Sequence, residues 1–291
     1  MDPPFSLMTY LITQTLNGLF SAALLFLIAS GLTLAFGVMK IVNIAHGSFY
    51  MLGVYIAYTV ILRTQSLLLG AAAAIVVVSA LGFVMQRFFL RRFGNDPLAQ
   101  MMMTMGFALL FRDATLMIWG GDPFTLQYPG WLRGSMEAGD VVFPYYRLFV
   151  IVVAALVGVA LWAINEKTLL GARLRATVDD PEMASAMGIN VTLLSGLVFA
   201  AGAGLAAFGG VMGGPILGGY AGLDFDLLPL AFVVVIVGGM GSLKGAFVGS
   251  LVVGMIDNYG KALVPELSYF TLFAPMILVL ALKPTGLYGR A

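Results

Sequence analysis

Apolar runs approaching the roughly 20 residues needed to cross a bilayer recur along this chain, with little sequence between them. They predict helical segments near residues 10–36, 49–62, 67–88, 101–119, 147–164, 193–212, 227–240, 246–260 and 269–283. Several are short and glycine-rich, so the pattern predicts about eight to ten spans or half-spans. Two polar interruptions stand out. The stretch 31–58 carries Lys40, Asn43 and His46 between apolar flanks. Polar groups at membrane depth are expensive, and irregular backbone is tolerated there only where it faces protein or a water-filled cavity. This stretch therefore reads as a broken helix. The second interruption, 238–249, holds Gly238-Gly-Met240-Gly-Ser242-Leu-Lys244. It loosely echoes Gly37-Val-Met39-Lys40 and Gly47-Ser48-Phe49. Interrupted segments in corresponding positions of two halves point to a transport site where the halves meet.

Composition sharpens the class. Of 291 residues, 60% are hydrophobic and 10% charged, against about 25% charged in a soluble domain. The fold class is therefore all-α, a polytopic transmembrane bundle with broken helices. A net charge of +1 gives no nucleic-acid footprint. Absence of cysteine excludes disulfides and thiolate metal sites, and a single histidine excludes a multi-histidine centre. Met1-Asp-Pro-Pro-Phe5 lacks a basic leader region, so the first apolar run reads as part of the mature protein. Short-loop cations set orientation. Arg87, Arg91 and Arg92, then Lys167, Arg173 and Arg175, then Lys283 and Arg290, all fall in the cytoplasm on one alternating path. That path puts the N-terminus outside, together with a loop at about 120–146 bearing Tyr128, Trp131 and Tyr145. The loop reads equally as an interfacial cap or as a docking surface.

Within the spans, 67–88 is apolar until Gln86 and reads as a lipid-facing or packing helix. Arg112 and Asp113 are adjacent, so they do not share a helix face. The reading favoured for Arg112 is snorkelling at the outer surface, ahead of a place in a polar pathway. Methionines 101–103 and 105 read as adaptable packing. Small residues repeat at three- and four-residue spacing through Gly202–Gly210, which lets helices approach closely in lipid. Gly213-Gly214-Pro215 and Gly218-Gly219 then end that helix.

The longest polar insertion on the inner side, about 165–195, specifies a short helix. Asp180 suits the N-cap, Pro181 the first helical position, Glu182 the positive helix end, and Gly188 the stop. Met183, Ala186 and Met187 fall at i, i+3 and i+4 and form one apolar face on a water-exposed helix. That face either packs on the membrane helices or plugs a groove on another protein.

Chemistry is otherwise sparse. There is no G-x-x-x-x-G-K-[ST] phosphate loop. No nucleophile or acid arrangement makes His46 a catalytic base; it reads first as a hydrogen-bonded structural group, second as a substrate contact. Asp113 and Asp257 are the only candidates for an intramembrane acid pair, and their flanks differ. No catalytic residue, metal site or cofactor is assigned.

Two blocks, and a third, carry a resemblance. The first runs Gly31-Leu-Thr-Leu…Phe36-Gly-Val-Met39…Ile41-Val-Asn43-Ile-Ala-His46-Gly47…Met51-Leu-Gly53; the second runs Gly171…Arg173-Leu-Arg175-Ala…Asp180-Pro-Glu182-Met-Ala184…Gly188-Ile-Asn190; the third is Gly238-Gly-Met-Gly-Ser242…Gly245-Ala…Gly249. With them the chain resembles the permease subunits of branched-chain amino acid ABC importers, most of all the LivH type, over nearly its whole length. The resemblance implies one permease domain over 1–291 forming half of a translocation pore. It also implies a second homologous permease, two cytoplasmic ATP-binding subunits, a periplasmic or lipid-anchored solute-binding protein, and a place in the bacterial inner membrane. Substrate would be a branched-chain amino acid or another small polar solute such as an amide, urea or aromatic acid. The solute path would be lined by Asn43, His46, Gly47, Ser48, Phe49, Gly239 and Ser242. Coupling to the ATPases would rest on Arg173, Arg175, Asp180, Glu182, Met183, Ala186, Met187 and Gly188. Two rivals stand beside it: an ion- or proton-coupled secondary transporter, which broken helices would serve equally, and a membrane-embedded enzyme.

Overall fold

Eleven α-helices carry the chain in the computed structural model, which describes residues 7–94 and 96–289. The readings that involve Met1–Phe5 and Arg290 fall outside those residues. The helices are α1 (Leu7–Met39), α2 (His46–Thr64), α3 (Leu67–Val84), α4 (Pro97–Trp119), α5 (Tyr145–Lys167), α6 (Leu169–Asp179), α7 (Pro181–Ala186), α8 (Val191–Leu217), α9 (Leu223–Gly238), α10 (Leu243–Leu263) and α11 (Ser268–Leu282). Five are long and apolar enough to cross a membrane: α1, α3 with its irregular continuation to Phe93, α4, α5 and α8. A sixth candidate span is the pair α9 and α10, which turns by 116° at its break.

The segment expected at 49–62 is a helix, but not an apolar span of this kind. Its 19 residues include His46, Ser48 and three tyrosines. It is surrounded by protein instead of lipid: His46, Phe49, Tyr50 and Tyr55 are all 1% exposed or less. Neighbouring helices bond His46 and Ser48, which hydrocarbon cannot do, while the buried Tyr50 and Tyr55 hydroxyls have no hydrogen-bond partner among the described residues.

α8 is the central post, in contact with α1, α2 and α3. Its small residues work as expected. A side chain added at Gly31 would collide with the Gly202 carbonyl, and one at Gly202 would meet the Gly31 carbonyl at 2.6 Å. Backbone therefore packs on backbone where α1 crosses α8. Of the two glycine groups expected to end it, the helix passes the first, Gly213-Gly214-Pro215, and stops at the second, Gly218-Gly219. It continues through Pro215 to Leu217 and ends where Gly218 takes φ +77°. Proline is tolerated inside a buried membrane helix because surrounding helices re-satisfy the freed backbone.

The cations separate by end. A Cβ at Gly241 would lie 3.1 Å from Gly37 Cα, so Lys40 and Lys244 share one end of the bundle. Leu287 N and Tyr288 N each donate at 2.9 Å to Val237 O and Gly238 O, which brings Lys283 to the same end. The opposite end is closed by the loop after α4. It forms an antiparallel hairpin of β1 (Ser135–Ala138) and β2 (Val141–Pro144). Phe124 and Gly219 exchange backbone bonds of 3.0 and 2.7 Å, strapping the loop to the end of α8. It is an ordered cap, with Trp131 70% exposed on it.

Candidate functional site

The first break lies where it was expected. Lys40 adopts φ +54°, a left-handed conformation rare for lysine, and its N–H closes α1 on Phe36 O at 2.8 Å. The chain then doubles back. Ile44 N donates to Thr104 Oγ1 of α4 at 3.1 Å, and His46 N to Asn43 O at 3.3 Å. α2 begins at His46 with no side-chain cap. His46 Nε2 lies 2.9 Å from Ile28 O inside α1. A carbonyl only accepts, so Nε2 carries the proton and the ring is a structural strut. Thus α2 starts beside the middle of α1, well inside the bundle.

At that start the structure adds a residue which pattern reading missed. Asp224, in the first turn of α9, is 2% exposed. Its Oδ2 accepts a 2.9 Å hydrogen bond from Ser48 Oγ. A side chain on Gly47 would run into Asp224 O, so the N-terminal turns of α2 and α9 touch through backbone. Both are positive helix ends, which favours an anion between them. Arg112 of α4 stacks 5.7 Å from the Phe225 ring, next along the chain. Its side chain is half-buried against α9, so the arginine faces this junction, not only the outer surface. The two candidates for an intramembrane acid pair stand in different surroundings, and Asp257 is itself buried at 8% exposed. Asp113 is exposed, and Asp257 is bound at 2.7 Å by Lys261.

Two buried polar groups at this junction are incompletely used. The side-chain oxygen and nitrogen of Asn43 (1% exposed) and Asp224 Oδ1 have no hydrogen-bond partner among the described residues. Such groups are uncommon in native interiors. Their sequence neighbours Val42, Ile44 and Phe225 line an apolar cavity of about 470 Å³, together with Leu228, Phe232 and Met276.

The second break is built differently. Gly239 takes φ +103° and packs on the backbone of Gly289. Ser242 caps α10 by accepting from Gly245 N at 3.0 Å. The two breaks meet at Gly37 and Gly241. Of the residues expected on the solute path, Asn43, His46, Ser48 and Phe49 are buried in packing, and Gly47 contacts α9. Ser242 alone opens onto a wider cleft of about 770 Å³ between α1, α5, α6 and α10.

The inner loop folds as its caps specify. Asp180 Oδ1 accepts from Glu182 N at 3.0 Å and Met183 N at 2.9 Å. Gly188 takes φ +86°; its N–H bonds Ser185 O at 3.0 Å, and Ile189 N bonds Ala184 O at 3.1 Å. That pair is a Schellman closure. Ala184 faces inward at 4% exposed, while Met183 and Met187 stand out at 60% and 77%. Glu182, Ala186 and Gly188 are exposed with them, as is Arg173 on α6. Arg175 is instead turned back to donate to Asn165 O at the end of α5.

The described chain is similar to known transport proteins. A family model described as the permease component of the branched-chain amino acid transport system matches residues 14–280. The high-affinity branched-chain amino acid permease protein BraD of Pseudomonas aeruginosa is 31% identical, over 95% of each chain. LivH of Escherichia coli is 30% identical over 97% of this chain and 96% of its own. Among solved structures, a metal-chelate type ABC transporter in an inward-facing conformation aligns with a TM-score of 0.52 at 20% identity, over 97% of this chain and 90% of that one. PsaBC from Streptococcus pneumoniae, solved with a Fab, aligns at 0.50 and 15% identity, over 94% and 92%. These structures share the fold. With a family match that spans both breaks and the capped inner helix, this chain belongs to the branched-chain amino acid permease family as a membrane-spanning permease subunit of an ABC importer.

Proposed function

We propose that the chain is one half of a pore carrying branched-chain amino acids or chemically similar small solutes across the bacterial inner membrane. Its relatives BraD and LivH are named for branched-chain amino acids. A second homologous permease completes the pore. Two ATP-binding subunits drive it from the cytoplasm, and an external solute-binding protein delivers the cargo. ATP hydrolysis belongs to the partner subunits. The chain acts as a single permease domain, with its coupling loop at 165–195 and outer loop at 120–146.

The observation that carries this reading is α7. A helix of six residues, closed at both ends by its own caps, presents Met183 and Met187 to water. Burying two exposed methionines contributes roughly 1.5–3 kcal/mol each, so docking into a groove on an ATPase is favourable. α6 and α8 flank this helix, and movement of a docked ATPase passes through them into the bundle. The solute path runs by the junction of α2 and α9. Asn43, His46, Gly47, Ser48 and Phe49 belong to its wall, and Gly239 and Ser242 to the turn that shifts beside it. Asn43 and Asp224 Oδ1 hold open hydrogen-bonding capacity for a zwitterionic head. The adjoining cavity of valine, isoleucine, leucine, phenylalanine and methionine suits an aliphatic side chain. A half-helix terminus offers backbone dipoles to a charged group without burying a full counter-charge.

The test is recovery of the chain from gently solubilised native membranes with mass spectrometry of what accompanies it. Two ATP-binding subunits and a second permease are expected, and the solute-binding protein of the same system is then titrated with leucine, isoleucine and valine. A chain that purifies alone, yet moves solute under an ion gradient, overturns the reading in favour of a secondary transporter.

A further inference from the structure

The wide cleft between α1, α5, α6 and α10 has an amphipathic layout which the solute path does not use. On α1 its wall runs from Phe26 to Val38, about 18 Å of helix rise. On α5 it runs from Ala155 to Glu166, about 16 Å. One leaflet of hydrocarbon is about 15 Å deep, half of the usual core. Polarity is segregated along that length on α5, and α10 repeats the order from Lys244 to Phe247. Phe26, Gly158, Val159 and Phe247 form the deep end, whereas Asn165, Glu166, Arg175, Ser242 and Lys244 form the shallow end. Lys167 adds its charge there, with its Nζ 4.8 Å from the ring of Trp162, another wall residue. Three cations thus stand against one carboxylate. Thr33, between the two ends, is 1% exposed, and its hydroxyl has no partner among the described residues.

We propose that this cleft is a binding site for one anionic phospholipid of the cytoplasmic leaflet, with an acyl chain along α1 and α5 and its phosphate among Lys244, Lys167 and Arg175. The length matches a single leaflet, and the cations gather at the end that other short-loop cations place in the cytoplasm. A permease partner seated here would bury those cations with Glu166 as the one carboxylate among the residues lining the cleft, which is costly. No part of this depends on which solute is carried.

The experiment uses the assembled transporter in nanodiscs containing equal phosphatidylglycerol and phosphatidylcholine, released and examined by native mass spectrometry. Phosphatidylglycerol is expected to remain bound in several-fold excess. Lys244→Glu should abolish that preference. Gly158→Trp should lower retention of both lipids, because even a Cβ there lies 3.3 Å from Phe26 Cε1 and the indole fills the cleft. Should a variant fail to assemble, the unmodified transporter still decides: brominated phosphatidylglycerol should quench tryptophan emission more than brominated phosphatidylcholine does, through Trp162. Equal retention of the two lipids, or equal quenching, overturns the proposal. So does a photo-crosslinker at position 158 that captures the second permease in place of lipid.

Discussion

Ser48 and Asp224 are 176 positions apart, yet their 2.9 Å hydrogen bond ties the start of one interrupted helix to the start of another. Removing one partner of a buried bond exposes the other to the full desolvation cost, about 1–3 kcal/mol and more for a charge. Ser48→Ala should therefore destabilise the protein more than Asp224→Asn, which keeps an acceptor oxygen for the serine. Thermal unfolding of the detergent-solubilised chain checks this; equal midpoints for the two variants would refute the arrangement. A second expectation concerns contact between backbones. Gly202→Val places two methyl groups where the Gly31 carbonyl now sits. It should prevent α1 from seating on α8 and sharply lower the amount of folded protein in membranes, measured by fluorescence-detected gel filtration. His46 takes the structural role favoured for it from sequence, because Nε2 meets the Ile28 carbonyl.

α7 is the element whose local code is most complete. Its N-cap, first-turn proline and αL glycine are all within ten residues, and each bond they imply is present. Asp180→Ala removes the acceptor for two N–H groups and should cost about 1 kcal/mol of local helix stability. Faster amide exchange at Glu182 and Met183 would register the loss. Met187→Glu leaves the helix intact but puts a charge on its exposed apolar face. It should abolish co-purification of the ATP-binding subunits while the permease still accumulates; undiminished recovery would count against docking through this face. α2 shows the opposite case. Its existence was readable from apolar periodicity, but its immersion in protein was not, since a helix of moderate hydropathy reads alike whether it meets lipid or neighbours.

For the molecule as a whole, the two ends differ in charge and in construction. One holds Lys40, Lys167, Lys244 and Lys283 around the meeting of both breaks; the other is a strapped hairpin cap. Movement at the helical end can be transmitted by α6 and α8, while the capped end keeps α4, α8 and the outer loop together. In reconstituted vesicles, transport should need the ATP-binding subunits and ATP and should be unaffected by collapsing ion gradients. Uptake that follows the gradient instead would contradict the importer assignment.

Sequence alone determined the membrane class, the helical segments, the positions of both interruptions and the caps of α7. Each depends on composition or on neighbours within a few residues, and such signals survive without a fold. Only tertiary structure decided that Gly37 meets Gly241, that Asp224 is buried at the start of α2 while Asp257 is buried beside Lys261, and that Arg175 is bound at home while Arg173 is free to reach outward. Asp224 carries no sequence mark beyond a place in the first turn of a helix, where an acid is favourable anyway. What brings it into the candidate site is the close approach of α2, which glycine permits at position 47 and which no local pattern encodes.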